Sequence, residues 1–410
     1  MIGDAYFYQE RYAEAVPYLE KSAGTPGSRP SRTDQYQLGM ALYRSGDYSG
    51  SIPWLQRVTG PEDSLSQNAY YHLGHSFIQT GKKDFGRTAF LSAYKLKQDI
   101  TITEDALFNY AKLAYELSYN PFNEAIRALQ EYIREYPASK RLDEAYGYLV
   151  DLFLSTRNYQ GALDALGNIS RLTPELREAY QRVAYYQGIE EYNARNYAQS
   201  ISLFHKSQEF ETNRSISALS LYWTAEAYFQ QKEYAKARTY YERFLTSPGA
   251  FGQDIYPLAH YAIGYTWFKQ KDYGQALTSF RKFLSAPGTA GLKMIADARI
   301  RAGDCSFIRK DYAAALPFYE EAIRADVIDQ DYALYQKAMA QGVLDRTQDK
   351  VSSLQKLAEK YPRSPYRDDA LFELGNTWLM VQEDEKALNT LRTVTQEYPG
   401  SSYEKQALLK

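Results

Sequence analysis

Tyr361-Pro362-Arg363-Ser364-Pro365-Tyr366 opens a stretch that decides how the whole chain is read. An apolar run through Ala370, Leu371, Leu374 and Gly375 follows, then a second through Ala387, Leu388, Leu391 and Val394. Tyr398-Pro399-Gly400-Ser401-Ser402-Tyr403 then begins the phrase again after 37 residues. Proline after the second run cannot continue a helix, and serine can offer its hydroxyl to orphan amides of the next one. Pro365 suits a first helical turn, where no backbone bond is lost. The unit is therefore a helical hairpin with its own punctuation.

Moved back along the chain, the unit recurs. With the small residue Gly375 as anchor, the equivalents are Gly3, Gly39, Gly74, Ala111, Val150, Gly188, Ala225, Gly264, Gly303 and Ala338, spaced 35 to 39 residues apart. Twelve residues later a second small residue returns, as Ala15, Ser51, Gly86, Ala162, Ser200, Ala237, Ala276, Ala315 and Ala387. In one unit Ala125 comes two residues late, because Tyr119-Asn120-Pro121 lengthens the turn. Four residues beyond the second small position stands a large apolar or aromatic side chain: Leu19, Leu55, Phe90, Leu129, Leu166, Phe204, Tyr241, Phe280, Tyr319, Leu354 and Leu391. Three before the second small position an aromatic recurs, as Tyr12, Tyr48, Phe122, Tyr159, Tyr197, Tyr234, Tyr273 and Tyr312. An anchor without bulk lets the second helix approach the first, and the large side chain fills the groove so opened.

This pattern resembles the tetratricopeptide repeat (TPR), with Leu38-Gly39, Leu73-Gly74, Ile263-Gly264 and Leu374-Gly375 carrying its signature. The resemblance implies an all-α fold, a right-handed α-solenoid superhelix of about eleven helix-turn-helix units with half units at both ends. Residues 1–410 then form a single continuous solenoid. The pattern weakens around Ala338, where Lys350 takes the second small position and Thr347 the aromatic one; a loosely packed unit or a bend is expected there. Met1 and Lys410 both fall within units, so the chain reads as a segment of a longer repeat protein.

Composition suits a folded helical array. Hydrophobic residues make up 44% and charged residues 24%, which excludes a disordered chain, and no run of about 18 apolar residues offers a membrane span. A formal net charge of -2 gives no electrostatic case for nucleic acid or an anionic membrane. Lys82, Lys83 and Arg87 cluster at a hairpin turn and read as a solvated turn rather than a phosphate contact. The Gly/Pro-rich stretches at residues 24–30, 247–252 and 286–291 read as plain connectors.

Nothing in the sequence assembles a catalytic site or calls for a cofactor, so no enzyme activity is expected. His72 and His75 are three apart on one helix, but zinc needs three or four ligands, so they read as ordinary surface histidines. Cys305 follows Gly303 at a position held elsewhere by small residues, and reads as a buried thiol.

The first helices instead carry an aromatic pattern. Three residues before successive anchors come Tyr36, Tyr71, Phe108, Gly147, Tyr185, Tyr222, Tyr261, Ile300, Tyr335 and Phe372; four after come Tyr43, Ile78, Tyr115, Leu154, Tyr192, Phe229, Phe268, Phe307, Gly342 and Leu379. These two columns share one side of the helix. They serve either as packing between adjacent first helices or as an aromatic channel for an extended peptide or a partner's helix. In the family such positions face the concave surface. Specificity would then fall one residue after the anchor, where His75, Lys112, Glu226, Tyr265 and Asp304 differ in kind. The candidate partner-binding residues are Tyr71, His75, Tyr115, Tyr185, Tyr192, Tyr222, Glu226, Tyr261, Tyr265 and Phe268. The family's carboxylate clamp for chaperone tails is not matched; Lys112 with Asn109 comes nearest, and Glu116 opposes an anionic guest.

The phrase Tyr-Pro-x-Ser, at Tyr136-Pro137-Ala138-Ser139, Tyr361-Pro362-Arg363-Ser364 and Tyr398-Pro399-Gly400-Ser401, is similar to repeats of Gram-negative envelope proteins. Those are the outer-membrane barrel-assembly lipoprotein and the periplasmic coordinator of the Tol-Pal system. That likeness implies a non-enzymatic scaffold for protein or peptide partners in the periplasm or cell envelope, associated with outer-membrane assembly. The alternative is a cytoplasmic regulatory or sensor array whose effector domain lies outside this segment. Self-association through half-built terminal faces is also expected.

Overall fold

The computed structural model describes residues 2–25, 29–117 and 123–410. The expectations placed on Met1, on Pro26, Gly27 and Ser28, and on Tyr119, Asn120, Pro121 and Phe122 lie outside the described residues. Among these there are helices and no strand. The chain divides into two compact units, Met1–Ala184 and Tyr185–Lys410.

The first unit holds α1 (Ile2–Tyr8), α2 (Tyr12–Ala23), α3 (Arg32–Arg44), α4 (Tyr48–Val58), α5 (Ser64–Gln79), α6 (Lys83–Leu96), α7 (Ile100–Leu117), α8 (Asn123–Glu135), α9 (Leu142–Ser155) and α10 (Tyr159–Gly167). The division falls within α11 (Pro174–Asn193). The second unit continues through α12 (Tyr197–Ser207), α13 (Arg214–Gln230), α14 (Tyr234–Thr246), α15 (Tyr256–Lys269), α16 (Tyr273–Ser285) and α17 (Leu292–Ile308). It ends with α18 (Tyr312–Ala325), α19 (Gln330–Val343), α20 (Thr347–Lys360), α21 (Arg367–Met380), α22 (Asp384–Glu397) and the short α23 (Glu404–Leu408). Within each unit consecutive helices pack, and odd-numbered helices also touch, as in α3 with α5 and α17 with α19.

The anchors show why the hairpins close. A Cβ built on Gly39 would lie 2.8 Å from Leu55 Cγ, and one on Gly74 the same distance from the Phe90 ring. The equivalent approach is 2.7 Å from Gly264 to Phe280 and 2.6 Å from Gly303 to Tyr319. Leu55, Phe90, Phe280 and Tyr319 are fully buried, each worth about 2–3 kcal/mol relative to exposure. Where the second small position is serine its hydroxyl is satisfied: Ser200 Oγ donates to the Gly188 carbonyl at 2.8 Å.

The recurring aromatic marks the first residue of the second helix, at Tyr12, Tyr48, Tyr159, Tyr197, Tyr234, Tyr273 and Tyr312. The residue before it caps that helix in several units: Asp47, Asn158, Asp272 and Asp311 accept an amide three residues on. One residue earlier the backbone is left-handed. Gly46 and Gly81 suit that conformation, but Glu10, Arg157, Arg195, Lys232, Lys271, Lys310, Asp345 and Gln382 adopt it as well, with φ between 56° and 65°. The Glu233 amide then reaches back to the Tyr228 carbonyl at 2.9 Å, closing a Schellman turn.

Three expectations are corrected. Pro365 is not in a first helical turn, because α21 begins at Arg367. Ser364 instead builds the turn before it, accepting from the Tyr366 amide at 3.1 Å and donating to Asp331 Oδ2 at 2.6 Å. The unit around Ala338 is not loosely packed. Val351, Leu354 and Leu357 are buried against Leu334 and Leu374, while the long Lys350 stem lies along Gly342 and its ammonium reaches Glu373 at 2.9 Å. His72 and His75 are not surface residues: His72 is only 9% exposed and His75 half-buried, because both turn onto the aromatic column. The connector at 247–252 also packs closely, burying Ala250 and bringing Gly249 against the Arg214 carbonyl.

Candidate partner-binding cleft

In the second unit, α13 and α15 with the end of α11, the middle of α14 and the start of α17 enclose a cleft of about 580 Å³. Tyr192 comes from α11; Tyr222, Trp223, Glu226, Phe229 and Gln230 from α13; Tyr241 from α14; Leu258, Tyr261, Ala262, Tyr265 and Lys269 from α15; Met294 from α17. The rings stand edge to face, with centroids 5.1 Å apart for Tyr192 and Trp223, 5.7 Å for Tyr222 and Trp223, and 5.0 Å for Tyr261 and Tyr265. Aromatic pairs prefer such offset or perpendicular arrangements.

Within that aromatic lining sits one carboxyl group. Tyr241 donates its hydroxyl to Glu226 Oε1 at 2.6 Å, and the Tyr222 phenol also acts on this carboxyl. Burial pushes the Glu226 carboxyl above its ordinary range, and the two phenols pull the other way. Burial also raises the Tyr192 and Tyr265 phenols to about 12, so both stay protonated donors at neutral pH.

Behind the α15 wall lies a polar network. Tyr261 donates to Asp297 Oδ2 at 2.8 Å and Tyr265 donates to the same oxygen. Arg301 holds Asp297 at 3.3 Å and Asp304 at 2.7 Å. Asp304, 5% exposed, accepts from Tyr319 at 2.9 Å and Tyr332 at 3.0 Å, and burial is the largest influence raising its carboxyl.

Of the sequence candidates, the cleft unites Tyr192, Tyr222, Glu226, Tyr261 and Tyr265. Phe268 lies on the same helix but packs on Tyr273 at 5.5 Å, and Tyr185 is buried against Phe204. In the first unit, Tyr71 donates to Asp105, His75 packs against Tyr71 and Phe90, and Tyr115 donates to Asp151 at 3.0 Å. The position after the anchor carries internal contacts in several repeats: Asp151, Glu226 and Asp304 all accept tyrosine hydroxyls. A sequence signal for this existed. Tyr241 and Tyr319 are the tyrosines in a column otherwise of leucine and phenylalanine, and their units carry the acids Glu226 and Asp304 after the anchor. Trp223, Met294 and Leu258 fall outside the singled-out columns, and no local periodicity marks them.

Elsewhere, Lys83 and Arg87 reach Glu116 and Glu124 at 2.7 and 3.1 Å. Cys305 is buried, which pushes its thiol up to about 12 and keeps it protonated. Among the described residues no group of three or more His, Cys, Asp or Glu is placed to hold a metal, and no helix is long and apolar enough to cross a membrane.

Repeated hairpins closed by small anchors define a helical repeat protein, and comparison with known proteins gives the class its name. Two tetratricopeptide-repeat family models match, one at residues 105–139, 219–248, 332–364 and 369–401, the other at 1–69 and 261–326. The chain belongs to the tetratricopeptide-repeat family, whose members are generally non-catalytic scaffolds for protein–protein contacts. It is 24% identical over 242 residues to the TPR repeat-containing protein YpiA of Bacillus subtilis (strain 168), a match covering 59% of this chain and 53% of that protein. The chain thus spans about half the length of that relative. Among solved structures it is similar to YrrB, described as a TPR protein with an unusual peptide-binding site, at 21% identity and a TM-score of 0.41 over 50% of this chain and 98% of that one. It is also similar to PilF of Pseudomonas aeruginosa, at 14% identity and a TM-score of 0.39 over 57% and 98% of the two chains.

Proposed function

We propose that this chain is a non-enzymatic scaffold that seats an extended segment of a protein partner in the aromatic cleft between α13 and α15. The observation that carries this reading is the convergence of Tyr192, Trp223, Tyr261 and Tyr265 on one opening, with a single carboxyl group among them. Flat rings offer contact area at little entropic cost, and a few polar groups fix orientation. The test is panning of a random dodecapeptide phage library against the wild-type chain and a Tyr192→Ala/Trp223→Ala variant with an unchanged circular-dichroism spectrum. Peptides selected by wild type and lost by the variant support the cleft; equal recovery moves the binding surface elsewhere.

A cell-envelope setting rests on the Tyr-Pro-x-Ser spelling alone. Fractionation of the native cell decides between it and the cytoplasmic sensor array.

A further inference from the structure

Glu226 and Asp304 occupy the same place in their repeats, one residue after Ala225 and Gly303, and each accepts the hydroxyl of a buried tyrosine fifteen residues on. They differ in what else they meet. Asp304 is neutralised by Arg301, which comes from two residues before the anchor and also lies over the Tyr332 ring at 5.9 Å. At the corresponding position the Ala225 repeat has Trp223, so no guanidinium is supplied from within. Glu226 has the Tyr241 phenol as donor and, among the described ion pairs, no cationic partner; Lys269 stands exposed at the cleft rim and is not paired with it.

From this pairing we infer that the cleft receives the cationic side chain of an arginine or lysine from the partner segment, seated on Glu226 between the rings of Tyr192, Tyr222 and Trp223. The inference rests on the cleft reading above and names the chemistry of its guest. The Gly303 repeat shows how this fold holds a guanidinium: a carboxylate bearing tyrosine donors, with an aromatic face alongside. The Ala225 repeat keeps the carboxylate, a tyrosine donor and the aromatic faces, and replaces the internal cation with an opening. A cation entering it gains a charge-assisted hydrogen bond and the ring quadrupoles in a poorly hydrated place, where both are strengthened. An anionic guest would instead face Glu226, and an uncharged one would leave its free oxygen lone pairs unmatched.

The experiment uses the full chain and four synthetic nonapeptide sublibraries, blocked at both ends. The central residue is fixed as arginine, lysine, norleucine or glutamate, and the other positions are drawn from uncharged residues. Binding is read as displacement of the Trp223 indole amide resonance, assigned with Trp223→Phe. The arginine and lysine sublibraries are expected to bind about tenfold more tightly than norleucine, with glutamate weakest. Glu226→Gln, which can still accept from the Tyr241 phenol, should erase that preference at a melting temperature no lower than that of wild type. Equal binding of arginine and norleucine, untouched by Glu226→Gln while the indole still moves, overturns the cation and leaves the cleft reading standing. No movement of the indole with any sublibrary overturns both.

Discussion

Tyr71 and Tyr222 stand at the same point of their repeats, three residues before Gly74 and Ala225, yet their surroundings differ. Six residues before the next anchor, the first unit offers Asp105 and the second Leu258. Tyr71 is therefore tethered: its hydroxyl donates to Asp105, which is also bound by Arg141 and by Asn109 Nδ2 at 3.0 Å. Tyr222 meets no carboxylate in the next repeat and lines the cleft beside Glu226 of its own helix, with Leu258 as apolar cleft wall. One residue six places from an anchor thus distinguishes a closed polar tie from an aromatic opening. Tyr261 repeats the tethered arrangement through Asp297, six residues before Gly303.

The comparison can be broken most forcefully at the tie. Asp105→Leu should destabilise the first unit by about 3 kcal/mol, because it strands the Tyr71 phenol and the Arg141 guanidinium together. The Arg141–Asp105 ion pair is partly exposed and adds little by itself. Urea unfolding followed by circular dichroism measures the loss; a midpoint equal to wild type would show that the tie is incidental.

Acid should separate the two regions next. His72 packs its ring 4.7 Å from Tyr43, and its Nδ1 is buried without a partner. Burial first, then the nearby His75 and Arg44, push its pKa down to about 3. Stability from the neutral ring is complete above about pH 6.5 and is lost as pH falls toward 3, amounting to about 2 kcal/mol between pH 7 and pH 5. His72→Phe should flatten that slope in hydrogen exchange of α5 amides.

Around α13 the sign is opposite. Glu226 sits above its ordinary range, so the stability its protonated form contributes is complete below the unfolded value and is lost as pH rises through the raised one. Exchange of α13 amides should accelerate with pH beyond the intrinsic trend in wild type, and Glu226→Gln should remove that excess. Finer still is the removal of each phenol. Tyr319→Phe should cost about 1.5 kcal/mol and Tyr241→Phe about 1, since Asp304 is the more deeply buried acceptor. Thermal unfolding of the two variants ranks them, and the reverse order would place the greater dependence on the cleft carboxylate.

Much of the scaffold was legible because its signal is local. Gly39 with Leu55 and Gly264 with Phe280 are sixteen residues apart, a spacing that recurs in repeat after repeat. The sorting of the tyrosines was not, because their partners lie in the neighbouring repeat: Tyr71 finds Asp105 thirty-four residues away and Tyr261 finds Asp297 thirty-six away. Spacing between units varies, so no fixed offset exposes such pairs. The burial of His72 escaped notice for a related reason, since Tyr43, which covers it, belongs to the preceding repeat. Pro365 and Ser364 misled because a turn just ahead of a helix uses the same residue types as the helix start itself.

The left-handed turns within the hairpins carry a consequence for tuning the molecule. Lys232, Lys271 and Lys310 bear side chains in a backbone region that costs a residue other than glycine about 1 kcal/mol. Glycine there relieves the strain, and the greater freedom it gives the unfolded chain takes part of the gain back. Heat tolerance can therefore be raised in small steps at exposed hinges, without altering a core side chain or any residue lining the cleft. The array carries its own thermostat, set one turn at a time.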